Sequence, residues 1–87
     1  MPRGHTPKRS AARNAPRAQV VIKRVGKRLR SLREDAGLTQ EEAASAAKLD
    51  PKHLQEIEHG RTNPTLASLV MLADAYSVSL AKLFDIP

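Results

Sequence analysis

The sequence predicts an all-α fold, five short helices around one small core, preceded by a disordered basic arm. Three observations predict it. The 87 residues are 40% apolar yet contain one Tyr, one Phe and no Trp, so the core is aliphatic, which favours helices over a sandwich or barrel. Apolar residues recur at spacings of three and four, the period of one helix face. Thr39, Asp50, Thr65 and Ser79 each stand where a helix N-terminus needs a side-chain acceptor.

Residues 1–18 carry three prolines, a glycine and five Lys or Arg, with no apolar periodicity. Such a stretch buries too little surface to offset its ordering entropy, and it is expected to be a disordered arm before a domain over 19–87. Ile22, Val25, Leu29, Leu32 and Ala36 form one apolar stripe and predict a first helix over about 20–36, closed by Gly37. Thr39 and Glu42 make a capping box that opens the second helix, whose Ala43, Ala44, Ala46 and Ala47 allow close helix approach. Asp50-Pro51 opens a third helix over 51–59, with Asp as N-cap and Pro at the first helical position. Gly60 ends it. Thr65 caps a fourth helix with Leu66, Leu69, Leu72 and Ala73, and Ser79 a short fifth with Leu80, Leu83 and Phe84.

Charge is distributed unevenly. Residues 1–33 hold eleven of the fifteen Lys and Arg and no acid. Residues 34–87 hold four bases against nine acids, a net of −5. A basic half points to a polyanionic partner. No apolar run approaches the ~20 residues of a membrane span, and the basic N-terminus lacks the apolar stretch of an export signal. The expectation is a cytoplasmic protein without a membrane role. With no cysteine there is no disulfide, thiol nucleophile or Cys-type zinc site. His53 and His59 lie six apart on one helix, off a common face, so no metal or cofactor is expected. No nucleophile–base constellation or Gly-rich phosphate loop occurs, so no enzyme is expected.

Two short helices joined by a tight turn are open to many uses. Here Gly37-Leu38-Thr39-Gln40-Glu41-Glu42, Ala44, Ile57-Glu58-His59-Gly60, Asn63-Pro64-Thr65-Leu66 and Leu72-Ala73 resemble the lambda-repressor/Cro-type, or XRE-type, helix-turn-helix family over about residues 22–84. The resemblance implies a five-helix lambda-repressor-like DNA-binding domain and dimeric transcriptional regulators that read double-stranded DNA. It matches Gln40 to a phosphate-contacting glutamine, and it pairs Arg33 with Glu58 as a structural ion pair. Lys48 departs from the pattern, since the family has glycine at that turn.

On the third helix, Leu54, Ile57 and Glu58 fall on one side at about 100° per residue. Lys52, Gln55 and Glu56 fall on the other, with His53 on a flank, and these are the expected base-reading residues. Thr39, Gln40, Arg61, Thr62, Asn63 and Arg28 are expected to contact phosphates, which position a protein without specifying sequence. Leu80, Phe84 and Ile86 are the expected homodimer face, and a regulatory protein partner is a further possibility. A protein-interaction module, antitoxin-like or adaptor, is the alternative on the same fold.

Overall fold

The computed structural model describes residues 15–86. The expected disorder of the basic arm falls, for residues 1–14, outside the described residues. Within them the regular elements are α1 (Pro16–Asp35), α2 (Gln40–Ala47), α3 (Pro51–Glu58), α4 (Leu66–Ala75) and α5 (Leu80–Leu83). No helix among the described residues is long and apolar enough to cross a membrane.

The expected capping chemistry sets most of these ends. Thr39 accepts from the Glu42 N–H at 3.1 Å while Glu42 accepts from the Thr39 N–H at 2.9 Å. Those bonds, the backbone one first, hold the Glu42 carboxyl below its ordinary range. Asp50 accepts from the Lys52 N–H at 2.8 Å, Thr65 from Ser68 at 3.0 Å and Ser79 from Lys82 at 3.0 Å. Gly37 and Gly60 take φ of +73° and +70°, the left-handed conformation that ends a helix.

Three boundaries differ from expectation. The first helix starts at Pro16 rather than near residue 20, so residues 16–18 are helical and do not belong to an arm. Proline at the first position presets φ and gives up only an N–H without an intrahelical partner, so the apolar stripe was not needed to start the helix. That helix ends at Asp35, leaving Ala36 as an exposed cap. The third helix ends at Glu58, with His59 as its C-cap.

The principal helix contacts close a ring: α1 on α3, α3 on α2, α2 on α4, α4 on α5, and α5 back on α1. Inside it lie Leu29, Leu54, Ile57, Leu72 and Leu83, all fully buried, with Ala43, Ala44 and Ala47 where α2 meets its neighbours. The alanines matter because α2 is the helix pressed between α3 and α4. Gly26 plays the same part on α1: a Cβ there would lie 2.5 Å from the Ile57 carbonyl oxygen and 2.8 Å from that of Glu58. The last turn of α3 therefore rests directly on the α1 backbone.

Candidate functional site

The inner side of α3 is fixed by Leu54 and Ile57, both at 0% exposure, and by buried Glu58. Its outer side carries Lys52 and Gln55, both exposed, with Glu56 and His53 half-buried. The face separation expected from helical angle is therefore present. Apart from Pro51 at its first position, the exposed face of this helix is built of charged and hydrogen-bonding groups.

Glu58 is the anchor. Its Oε2 accepts from Arg33 Nε at 2.7 Å and its Oε1 from Arg33 Nη2 at 3.1 Å, a bidentate pair. Arg33 Nη1 also donates to the Leu38 carbonyl at 2.9 Å, and Gln40 Nε2 to Glu58 Oε1 at 3.0 Å. One buried carboxylate thus ties α1, the loop before α2, the first residue of α2 and the last residue of α3. The bond to Glu58 raises the Arg33 pKa further, against the opposing effect of burial. The Tyr76 hydroxyl is buried without a hydrogen-bond partner, and burial first, then the Glu58 charge, pushes it up to about 12.

The turn between α2 and α3 passes through Lys48 at φ 58°, ψ 41°. The Lys48 N–H returns to Ser45 at 3.2 Å and the Leu49 N–H to Ala44 at 2.8 Å, so the left-handed residue closes α2. An L-residue there costs on the order of 1 kcal/mol relative to glycine. Lys48→Gly is accordingly expected to raise stability by about 1 kcal/mol and the melting temperature by roughly 4–8 °C, measured by thermal unfolding. An unchanged or lower melting temperature would show that the turn is not strained.

The expected phosphate-contacting residues divide. Thr39 is exposed at the head of α2 and its hydroxyl proton is not used by the capping bond, in which the oxygen accepts. Thr62 is half-buried and Asn63 exposed in the loop after α3. Gln40 is not a free group, because one of its amide hydrogens belongs to Glu58. Arg61 Nη1 lies 3.6 Å from Glu56 Oε1, so a residue expected on phosphate pairs with one expected on a base. Arg28 has a partner within the fold: its Nη2 donates to the Lys82 carbonyl at 2.8 Å and fastens α1 to the end of α5. The exposed cations of α1 are instead Arg17, Lys23, Arg24, Lys27 and Arg30, the last paired with Glu34 at 3.4 Å.

The residues of the expected dimer face differ in exposure. Leu80 and Ile86 are half-buried against the core, whereas Phe84 is 42% exposed. Leu66 and Val70, one turn apart on α4, are exposed at 64% and 40%. Of the fourth-helix residues Leu66, Leu69, Leu72 and Ala73, the last three are buried and Leu66 is not. Among the described residues no group of three or more His, Cys, Asp or Glu is placed to hold a metal ion.

Residues 24–83, from the third turn of α1 to the end of α5, match the family described as a helix-turn-helix domain. The chain belongs to the XRE-type helix-turn-helix family. The helix-turn-helix proper is α2, the Lys48 turn and α3. The protein is 40% identical over 58 residues to the HTH-type transcriptional regulator DdrOP3 of Deinococcus deserti, covering 67% of this chain and 45% of that one. It is 41% identical over 61 residues to the HTH-type regulator y4dJ of Sinorhizobium fredii, covering 70% of this chain and 79% of that one. Among solved structures it resembles the restriction-modification controller protein C.AhdI of Aeromonas hydrophila, with a TM-score of 0.69 and 34% identity, over 74% of this chain and 96% of that one. The chain thus spans less than half the length of the Deinococcus regulator and nearly all of the controller protein's fold.

Proposed function

We propose that this helix-turn-helix protein is a sequence-specific DNA-binding transcriptional regulator that reads the major groove with α3, as a homodimer on a near-palindromic site. One observation carries the reading: α3 is locked on its inner side by Leu54, Ile57 and the Arg33–Glu58 pair, while its outer side presents Lys52, Gln55 and Glu56. A rigid helix with a polar outer face is what direct readout of base edges requires.

The chemistry of that face selects its partners. Lys52 donates to guanine O6 or N7, Gln55 bridges adenine N6 and N7, and Glu56 accepts from a cytosine amino group, with His53 at the edge of the same surface. The head of α2 adds backbone N–H groups and a helix dipole that favour a phosphate, with Thr39 and the second amide hydrogen of Gln40 beside them. Thr62 and Asn63 hold the adjoining strand from the loop after α3. The reading domain is mildly acidic, so general attraction to DNA comes from the exposed cations of α1 and from the basic residues before it.

Phe84, with Leu66 and Val70, supplies the exposed apolar surface on which two copies associate. A dimer places its two reading helices on half-sites about one helical turn, ~34 Å, apart. The relatives named as transcriptional regulators support a role in regulation, exercised on DNA in the cytoplasm and by binding rather than catalysis.

Selection of bound duplexes from a random pool tests the proposal. The expected result is enrichment of a two-fold symmetric motif. Absence of any enriched motif would overturn it and favour a protein-interaction module on the same fold.

A further inference from the structure

The exit of α3 contains a device that the function above leaves unused. Gly60, at φ +70°, bends the chain so that its own N–H reaches the Ile57 carbonyl at 3.0 Å and the Arg61 N–H reaches the Glu56 carbonyl at 3.0 Å. Residue 61 is thereby folded back beneath residue 56. The two side chains meet as a consequence, Arg61 Nη1 lying 3.6 Å from Glu56 Oε1. A Cβ at Gly60 would sit 2.7 Å from Lys23 Cγ and 3.0 Å from Lys23 Cα, so the bend is also held against α1. The position of Arg61 is therefore set by the backbone, although its guanidinium remains 63% exposed and free to move.

Glu56 is the one carboxylate on the outer face of α3, and a bare carboxylate there meets phosphates and mostly acceptor groups on base edges. It needs a donor. In the free protein Arg61 is its ion-pair partner, Nη1 standing 3.6 Å from Oε1. On DNA the candidates are Arg61 and a base amino group, that of cytosine paired here with Glu56 or that of adenine, and Arg61 has a competing acceptor of its own in the nearest phosphate.

Resting on the DNA-reading function, we propose that Arg61 is a specificity-determining residue that exchanges between Glu56 and a DNA phosphate according to the base that Glu56 meets. Against cytosine, the amino group satisfies Glu56 and releases Arg61 to the phosphate. Against guanine or thymine, whose major-groove edges carry no amino donor, Glu56 keeps Arg61, and the phosphate contact is not made. One base is thus counted twice, once through its own hydrogen bond and once through a phosphate contact that depends on it. The ion pair also explains how an acidic residue sits on a DNA-facing surface without repelling it.

The exchange has a signature in salt. Each phosphate neutralised steepens the dependence of log K on log salt by about 0.9. The experiment uses the full chain, the duplex enriched from the random pool, and the same duplex altered at the base pair where Glu56→Gln relaxes preference. For the natural protein the slope is expected to be steeper on the enriched duplex by about one, so the affinity ratio between the duplexes falls about three- to fourfold between 50 and 200 mM salt. Glu56→Gln and Arg61→Gln are each expected to abolish the slope difference. Both side chains lie at the surface, and thermal unfolding of each variant checks that the fold is kept.

Equal slopes for the natural protein on the two duplexes would overturn the exchange. Arg61→Gln then names the replacement: a slope reduced on both duplexes marks a constant phosphate contact, and a slope changed on neither marks a fixed counter-ion. A pool that yields no enriched motif overturns the DNA-reading function itself and the exchange with it.

Discussion

Glu58→Ala is expected to lower stability by about 3–5 kcal/mol, because it removes one partner of a buried ion pair and leaves the other charge in place. The Arg33 side chain is only 11% exposed and the Glu58 side chain 1%, so neither can turn to water when its partner is lost. Gln40 loses its acceptor at the same time. Small domains are stable by about 5–15 kcal/mol, so this one change removes a large share of the total. The melting temperature is expected to fall by at least about 12 °C. Replacing both partners with apolar residues of similar size, Arg33→Met with Glu58→Leu, is expected to cost far less, because no charge is then stranded. Chemical denaturation of the three proteins measures this. A Glu58→Ala variant within about 0.5 kcal/mol of the natural chain, the range of an ordinary surface substitution, would show that the pair is not the anchor of α3.

Gly26→Ala is expected to destabilise for a different reason. Alanine improves intrinsic helix propensity by about 1 kcal/mol, and in an open helix it would stabilise. Here its Cβ would stand 2.5 Å and 2.8 Å from the carbonyl oxygens of Ile57 and Glu58. Those are backbone atoms, so relief requires moving α3 away from α1. Overpacking of this kind costs about 1–3 kcal/mol and occasionally more, and the rigidity of the obstacle places this case at the upper end. The expected net loss is about 2 kcal/mol, or roughly 8–16 °C in melting temperature. Affinity for DNA is expected to fall even where the variant remains folded, since the displaced element is the reading helix. Gly37→Ala provides the comparison. Nothing lies within 4 Å of its Cβ, so it suffers only from its φ of +73°, at about 1 kcal/mol. A Gly26→Ala variant as stable as the natural chain would mean that α1 and α3 are not in close contact.

Both of these positions bear on what the residues alone can reveal. Helix starts were legible wherever the chemistry is local: Thr39 with Glu42, Asp50 with Pro51, Thr65 and Ser79 each act within three residues. The separation of α3 into an inner and an outer face was legible because helical periodicity decides it. The partnership of Arg33 with Glu58 spans 25 residues and came from family resemblance, since no local rule connects them. Gly26 lay in the α1 apolar stripe without comment, yet a glycine on the buried face of a helix is itself a sign of close backbone approach.

The partners within the fold were not legible. Arg28, Gln40 and Arg61, expected on phosphates, each also meet a group of this chain: the Lys82 carbonyl, Glu58 and Glu56. Leu80 and Ile86, expected on the dimer face with Phe84, are partly packed against the core by the ring of helix contacts. Which polar group a flexible side chain meets, and which terminal leucine is covered, depends on how separate helices close on one another. Periodicity within a helix carries no information on that.

The central claim is that the outer face of α3 reads sequence. The most direct measurement replaces Lys52, Gln55 and Glu56 with alanine together and repeats the duplex selection alongside the natural protein. All three side chains are clear of the core, so the melting temperature is expected to shift by no more than a few degrees. Each well-formed base contact contributes about 1–3 kcal/mol of discrimination, so the preference for the enriched motif over random duplex is expected to fall by at least about a hundredfold. Recovery of the same motif with the same preference from the triple variant would contradict the account.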